Sequence, residues 1–365
     1  MSPSGYEGAG VRGQGDALKS VERHLRPTFS FPDSAEVLTG FGHYASVVKL
    51  NDSLAIALCT DGVGSKTIVA SALDRYDTIA SDCVAMNVND LICVGATPVA
   101  LVDYLGVNTL DPARVDDILS GLGAAAKEAG VAVPGGELAQ LPEVIGSDGR
   151  SVGDERAFDL VGTCVGTVQP DKLILGQAIK PGDTVIGVAS SGLHSNGFTL
   201  ARRVLLADAG LDLEETIPEL GCTLGDELLR PTEIYVRAAR ALWSAGIDVR
   251  GLAHITGDGL ANLCRLDAPV GYLLDDLPDP PAVFGLIQRA GRVSDAEMHR
   301  VFNMGIGLAV VVPAAQESRA RGLIDGAGYA ARRIGRVTEK TGRVEIPQRG
   351  LAGSLDDGDS VFSEM

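Results

Sequence analysis

Thr60-Asp61-Gly62-Val63-Gly64-Ser65-Lys66 sets a carboxylate, two glycines, a hydroxyl and an amine directly after an apolar run. Such a set can hold Mg²⁺ through the carboxylate and let backbone N–H groups approach a phosphate. It is not a P-loop, because GxxxxGK[ST] is absent from the chain. The same residues also read as a strand-to-helix turn capped by Asp61. A second segment, Asp82-Cys83-Val84-Ala85-Met86-Asn87-Val88-Asn89-Asp90, lies in an apolar helical pattern. At about 100° per residue, Asp82 and Asn89 stack two turns apart, with Asp90 beside them. Burying carboxylates there is costly unless each meets a cation or several donors, which favours metal ligation with Asp61. The alternative is that Asn89-Asp90 caps a following helix.

Further along, Val133-Pro134-Gly135-Gly136-Glu137 reads as a strand entering a glycine turn that presents Glu137 at the strand's carboxyl end. Ser190-Ser191-Gly192-Leu193-His194-Ser195-Asn196-Gly197 offers hydroxyl and amide donors before a helix, together with a histidine able to bind an anion or move a proton. His254-Ile255-Thr256-Gly257-Asp258-Gly259 has the same character, and Arg300-Val301-Phe302-Asn303-Met304-Gly305-Ile306-Gly307 puts glycines and an arginine before a strand. A capped helix start accounts for the serines and asparagines but not for His194. His43, His194 and His254 each sit in a glycine-containing loop.

The elements that must position these residues alternate. Strands are expected over Leu54–Thr60, Val99–Val107, Val131–Gly136, Phe158–Val168, Thr184–Ala189 and Met304–Val312. Helices are expected over Asp16–His24, Thr78–Val94, Asp111–Gly130, Phe198–Ala209, Asp226–Ala245 and Gly259–Leu266. The Pro- and Gly-containing stretch Gln169–Asp183 is the expected boundary between two α/β domains, 1–170 and 171–346, and the Gly-, Ser- and Asp-rich segment 347–365 is expected to fray.

The 365 residues carry 31 basic and 48 acidic side chains, a formal charge of −17. That surface repels nucleic acid and anionic lipid, so neither is expected as a partner. No apolar run approaches the roughly 20 residues of a membrane span. No secretion signal is read at the N-terminus, and six scattered cysteines without a CxxC pair suggest reduced thiols. The expectation is a soluble cytoplasmic protein.

Taken together, these segments resemble the aminoimidazole ribonucleotide synthetase family, the phosphoribosylformylglycinamidine cyclo-ligases. The matching residues are Tyr6–Val11, Gly40–Ala45, the Asp61 loop, Asp77–Leu91, Gly135–Glu137, Ser190–Gly197, His254–Gly259 and Phe302–Gly307, covering about residues 5–345. The resemblance implies a two-domain α/β (α+β) fold, with an N-terminal domain that binds ATP and Mg²⁺ and pairs with its twin in a homodimer. It also implies ATP-dependent closure of the imidazole ring on a phosphorylated ribonucleotide.

By residue, the resemblance implies Mg²⁺ at Asp61, Asp82, Asp90 and Glu137. ATP contacts would come from Asp61, Gly62, Gly64, Ser65, Lys66, Asn89 and Gly136. Substrate contacts would come from Ser191, His194, Ser195, Asn196, Thr256, Gly257, Arg300 and Asn303. His194, His254 and Lys66 are the expected catalytic residues. The chain departs from the family pattern at Leu138, where a threonine is usual, at Asp258, where a glycine is usual, and at Arg12-Gly13-Gln14-Gly15, where acidic residues are usual. A sister kinase resembling thiamine-monophosphate kinase, or a catalytically silent nucleotide-binding subunit, are the alternative readings.

Overall fold

A computed structural model of the chain describes residues 14–31, 35–146, 154–356 and 359–365. The Tyr6–Val11 segment, Arg12 and Gly13 lie outside the described residues. Two mixed sheets organise the rest. The first domain runs α1 (Gln14–Leu25), β1 (Glu36–Val37), β2 (Ser46–Asn51), β3 (Leu54–Gly62), α2 (Thr67–Leu73), α3 (Ile79–Cys93), β4 (Thr97–Val107), α4 (Pro112–Ala129), β5 (Ala132–Gln140) and β6 (Phe158–Val168). Its strands pair in the order β1-β2-β3-β6-β4-β5, antiparallel except for β4 with β5.

Local chemistry explains the two helices that matter most here. Asp111 caps α4 by accepting from the Ala113 and Arg114 N–H groups; Pro112 opens the helix, and Gly130, at φ +70°, ends it. In α3 only Ser81 and Asp90 escape burial, because one side packs on β3, β4 and β6 while the other meets α4, α7 and β10. A helix apolar all round is what such a position requires. It also places Asp82, Asn89 and Asp90 at the junction with the second domain, while Asn87 turns to β3.

The second domain begins with β7 (Thr184–Ala189), α5 (Phe198–Arg202) and a π-helical turn over Arg203–Asp208. Then come β8 (Thr216–Ile217), β9 (Cys222–Thr223), α6 (Leu224–Leu228), α7 (Val236–Ser244), β10 (Gly251–His254), a 3₁₀ segment Gly259–Arg265 and β11 (Gly271–Leu273). The chain closes with α8 (Ala282–Gly291), α9 (Asp295–Val301), β12 (Ile306–Val312), α10 (Glu317–Gly326), β13 (Ala331–Thr338), β14 (Val344–Ile346), β15 (Leu351–Asp356) and β16 (Asp359–Glu364). The large sheet has the order β10-β12-β7-β13-β11-β14-β15-β16, while β8 and β9 form a separate pair.

Three expectations are corrected. The helix expected over Asp226–Ala245 is broken into α6 and α7, because Pro231 cannot donate a helical hydrogen bond and disfavours helix at Arg230. The strand expected to stop in a glycine turn at Gly136 instead continues to Gln140, held by parallel pairing with β4. The tail expected to fray forms the β15–β16 hairpin, which joins the sheet through β14 and buries Leu351 and Phe362.

The face of the first sheet turned away from α3 is exposed and apolar. Leu58, Val99, Val102 and Tyr104 are each 38–48% accessible.

Candidate active site at the domain junction

Two clusters of the anticipated residues form where the domains meet. In the first, Asp61 is the last residue but one of β3, Asp90 lies in the last turn of α3, and His254 ends β10. Asp90 Oδ1 is 2.9 Å from His254 Nδ1, and its Oδ2 accepts a weak bond from Cys59 Sγ at 3.6 Å. Asp61 Oδ1 accepts from the Gly62 N–H at 2.7 Å, while Asn87 Nδ2 holds the Asp61 carbonyl at 3.0 Å. Burial first, and then the negative charge of Asp90, push the Asp61 carboxyl up to about 6. Among the described residues neither carboxylate has a salt bridge from lysine or arginine. Two hard oxygen donor groups, one of them burdened by burial and by its neighbour's charge, fit a divalent cation such as Mg²⁺.

The second cluster centres on Lys66 and Asp82, both fully buried. The ammonium lies 2.8 Å from Asp82 Oδ2 and donates to the His194 and Arg230 carbonyls at 3.2 and 2.6 Å. Asp82 also accepts from the backbone N–H and hydroxyl of Thr232, at 2.9 and 2.6 Å. The Lys66 ammonium is thus fully taken up by protein partners. Asp82 accepts all its hydrogen bonds at Oδ1, while Oδ2 has only the charge of Lys66 beside it. This differs from the expected roles of Asp82 as metal ligand and Lys66 as phosphate contact. Glu137 is not brought to this side either. It pairs with Tyr104 on the outer sheet face, whereas Asp61 lies in a row with Gly162, Asp103 and Gly136 on the helix side. Gly162 is required in that row, since a Cβ there would stand 2.7 Å from Asn87 Nδ2 and 3.0 Å from Cys83 Sγ. Among the described residues no group of three or more His, Cys, Asp or Glu is close enough to bind a metal unaided.

The other anticipated residues line or brace the junction. His194 is buried, with φ +61°, and burial lowers its pKa well below the usual histidine range. Its Nε2 accepts from the Ser191 N–H at 3.2 Å, and its Nδ1 has no partner. Ser191 Oγ donates to the Pro231 carbonyl at 2.6 Å, and Ser195 Oγ to the Val63 carbonyl at 2.9 Å. Ser65 Oγ faces Thr199 Oγ1 at 3.3 Å across the same gap, and Gly64 beside it has φ +70°. Asn196 sits against Met86 and near Gly257.

Asn89, Asn303 and Arg300 do structural work. Asn89 ties α3 to the second domain through the Glu233 carbonyl and Tyr235 N–H. Asn303 bridges Ser190, Gly192 and Gly305, and Arg300 donates two parallel hydrogen bonds to the Glu297 carboxylate at 2.6 and 2.7 Å. The Thr256 N–H donates to Asn262 at 2.7 Å. Thr232, Asp103, Asn262 and Arg265 were not anticipated; the proline at 231 was the available signal for a loop carrying Thr232.

Residues 42–168 match the model of the AIR synthase related protein N-terminal domain, and residues 180–346 match that of the C-terminal domain. The chain is 46% identical to a phosphoribosylformylglycinamidine cyclo-ligase of Methanothermobacter thermautotrophicus over 329 residues, 90% of this chain and 92% of the relative. The chain belongs to the phosphoribosylformylglycinamidine cyclo-ligase family. A second cyclo-ligase, from Methanobrevibacter smithii, is 47% identical over 294 residues, 80% of this chain and 82% of that one. This family member is therefore a ligase of purine biosynthesis.

Solved structures agree on the fold. AaThiL complexed with AMPPCP and TMP superposes with a TM-score of 0.60 at 16% identity, covering 91% of this chain and 92% of that one. T. maritima PurL complexed with FGAR gives 0.58 at 19% identity, and 85% of this cyclo-ligase family member spans 46% of that longer chain. Among its described residues, no helix is long and apolar enough to cross a membrane.

Proposed function

We propose that this cyclo-ligase family member closes the imidazole ring of formylglycinamidine ribonucleotide at the expense of ATP, with Mg²⁺ as cofactor, releasing ADP and phosphate. The observation that carries this reading is the Asp61–Asp90–His254 cluster at the domain junction. Asp61 and Asp90 would hold Mg²⁺, which when bound neutralises phosphate charge. An amide oxygen is a poor leaving group, and its phosphorylation by ATP makes it a good one. The amidine nitrogen then attacks the same carbon, phosphate departs, and a proton is lost from that nitrogen. Nothing in this sequence needs a covalent enzyme intermediate, so positioning and charge control are the protein's tasks.

His254 is suited to the proton step. With its Nδ1–H donated to Asp90, the lone pair lies on Nε2, which faces the Asn89 side-chain amide at 3.5 Å and would have to exchange that partner for the substrate nitrogen. His194, whose Nδ1–H is unpartnered, is suited to donate to the substrate. Ser191, Ser195, Asn196, Thr256 and Gly257 supply further polar edges around the same junction.

The exposed apolar sheet face supports pairing of first domains in a homodimer. Six free thiols, four of them buried, support a reducing compartment such as the cytoplasm.

The test is ADP release with formylglycinamidine ribonucleotide, ATP and Mg²⁺, followed by detection of the aminoimidazole. Stoichiometric ADP and imidazole are expected. ADP without imidazole would point to a sister kinase, and ATP binding without turnover to a silent subunit.

A further inference from the structure

The buried Lys66–Asp82 pair reaches from the first domain into two separate segments of the second. An ammonium has three N–H groups, and here Asp82, the His194 carbonyl and the Arg230 carbonyl take them all. Asp82 in turn fixes Thr232 through both its backbone and its hydroxyl. The two segments also hold each other, since Ser191 Oγ donates to the Pro231 carbonyl, which lies between Arg230 and Thr232.

What this arrangement fixes is an unusual residue. His194 has φ +61°, a left-handed conformation that a non-glycine residue keeps only when its surroundings impose it. The carbonyl that Lys66 grips belongs to this same residue. The Ser191 N–H donates to Nε2, so the ring carries its proton on Nδ1, and that buried N–H meets no protein acceptor. A Cβ at Gly307 would stand 2.5 Å from the His194 ring, so only glycine at 307 leaves room for the ring in this place.

We propose that Lys66 and Asp82 form a positioning pair that locks the His194 loop and the Arg230–Thr232 segment across the domain junction, presenting His194 Nδ1–H to the substrate, and that Lys66 is not a ligand of the nucleotide phosphates. The proposal rests on the ring-closure reading only for what His194 faces.

The experiment is a double-mutant cycle with Lys66→Met, Asp82→Leu and the pair together, reading kcat, the ATP dissociation constant and the ¹⁵N NMR signature of the His194 ring. Each single variant strands a buried charge, and a fall in kcat of about 100-fold or more is expected. Because the two act as a unit, the double variant loses no more than the worse single one. ATP affinity stays within about threefold of the parent throughout, as expected for groups that do not touch the nucleotide. The single Nδ1–H tautomer of the parent gives way to a mixture in the variants.

If the single variants do not fold, Thr232→Val removes one hydrogen bond without stranding a charge. It is expected to lower kcat about tenfold with ATP affinity unchanged. A Lys66→Met chain that binds ATP more than about tenfold more weakly, or effects that multiply in the double variant, would overturn the proposal. Absence of imidazole from the parent enzyme would instead count against the ring-closure reading, and the ATP titration and His194 spectrum would still decide the positioning pair.

Discussion

His254 Nδ1 lies 2.9 Å from Asp90 Oδ1, and this hydrogen bond joins β10 of the second domain to α3 of the first. It places the imidazole lone pair on Nε2, which faces the Asn89 amide at 3.5 Å, and it spends one oxygen of a carboxylate whose charge also acts on Asp61. Two variants separate those duties. His254→Gln should lower kcat by about 10²–10⁴, the usual worth of a general acid–base group, without changing the Mg²⁺ concentration for half-maximal rate. Asp90→Asn should lower kcat and also raise that Mg²⁺ concentration. Steady-state Mg²⁺ titrations of both variants make the comparison; equal Mg²⁺ requirements in the two would remove Asp90 from the metal site.

The Asp61 carboxyl gives a pH prediction for the metal-free chain. Burial, followed by the charge of Asp90, raises it from an ordinary 3.8 to about 6. Below about pH 4 it is protonated in folded and unfolded chains alike, and it costs nothing. Between about 4 and 6 only the unfolded chain ionises. Above 6 the folded chain also carries the buried charge, at a cost on the order of 3 kcal/mol. Asp61→Asn should therefore melt higher than the parent at pH 7.5 and close to it at pH 4. Mg²⁺ at pH 7.5 should stabilise the parent more than the variant. Equal gains at both pH values, measured by calorimetry, would show that Asp61 is not the burdened carboxylate.

These two predictions use residues that could be read from the sequence, and the contrast with Lys66 shows where such reading stops. Asp61, Asp90 and His254 each follow or end an apolar element, so their nearness follows from the alternating pattern of strands and helices. Asp82 looks alike on that basis, being a carboxylate on the same helix as Asp90. Its fate depends on Lys66 lying 16 residues earlier and on Thr232 lying 150 residues later, and no local period encodes either contact. Glu137 shows the same limit in a strand. One residue of register decides which face it occupies, and that register is set by pairing with β4 rather than by the Gly-Gly pair. Pro231 was the missed local signal, since it forbids the long helix whose gap holds Thr232.

The outer face of the first sheet predicts an oligomer. Leu58, Val99, Val102 and Tyr104 form an exposed apolar surface opposite α3, which the described residues leave uncovered. Sedimentation equilibrium of the parent chain should give a dimer. Val102→Glu would place a charge in the middle of the face, and the expected result is a monomer with unchanged far-ultraviolet circular dichroism. A parent chain that sediments as a monomer at micromolar concentration would sink the assignment.

Asp258 stands where the family pattern has a glycine, yet its backbone, at φ −95° and ψ 9°, requires no glycine. The carboxylate instead takes Arg265 Nη2 at 2.5 Å, closing the His254–Gly259 loop onto the end of the following 3₁₀ segment. The Arg265 guanidinium lies 5.9 Å from the ring centroid of Tyr44, whose hydroxyl donates to the Asn262 carbonyl at 2.7 Å. Asp258 thereby orients an arginine that packs against the first domain. Asp258→Gly removes the charge-assisted bond and leaves Arg265 unpaired, so a loss of about 1–3 kcal/mol is expected. Arg265→Met should cost a similar amount, and the double variant should cost less than the sum, because the second change removes a bond already lost. Chemical denaturation of the three variants reads this directly. Strict additivity would mean that the pair is not coupled and that Asp258 is tolerated without a structural task.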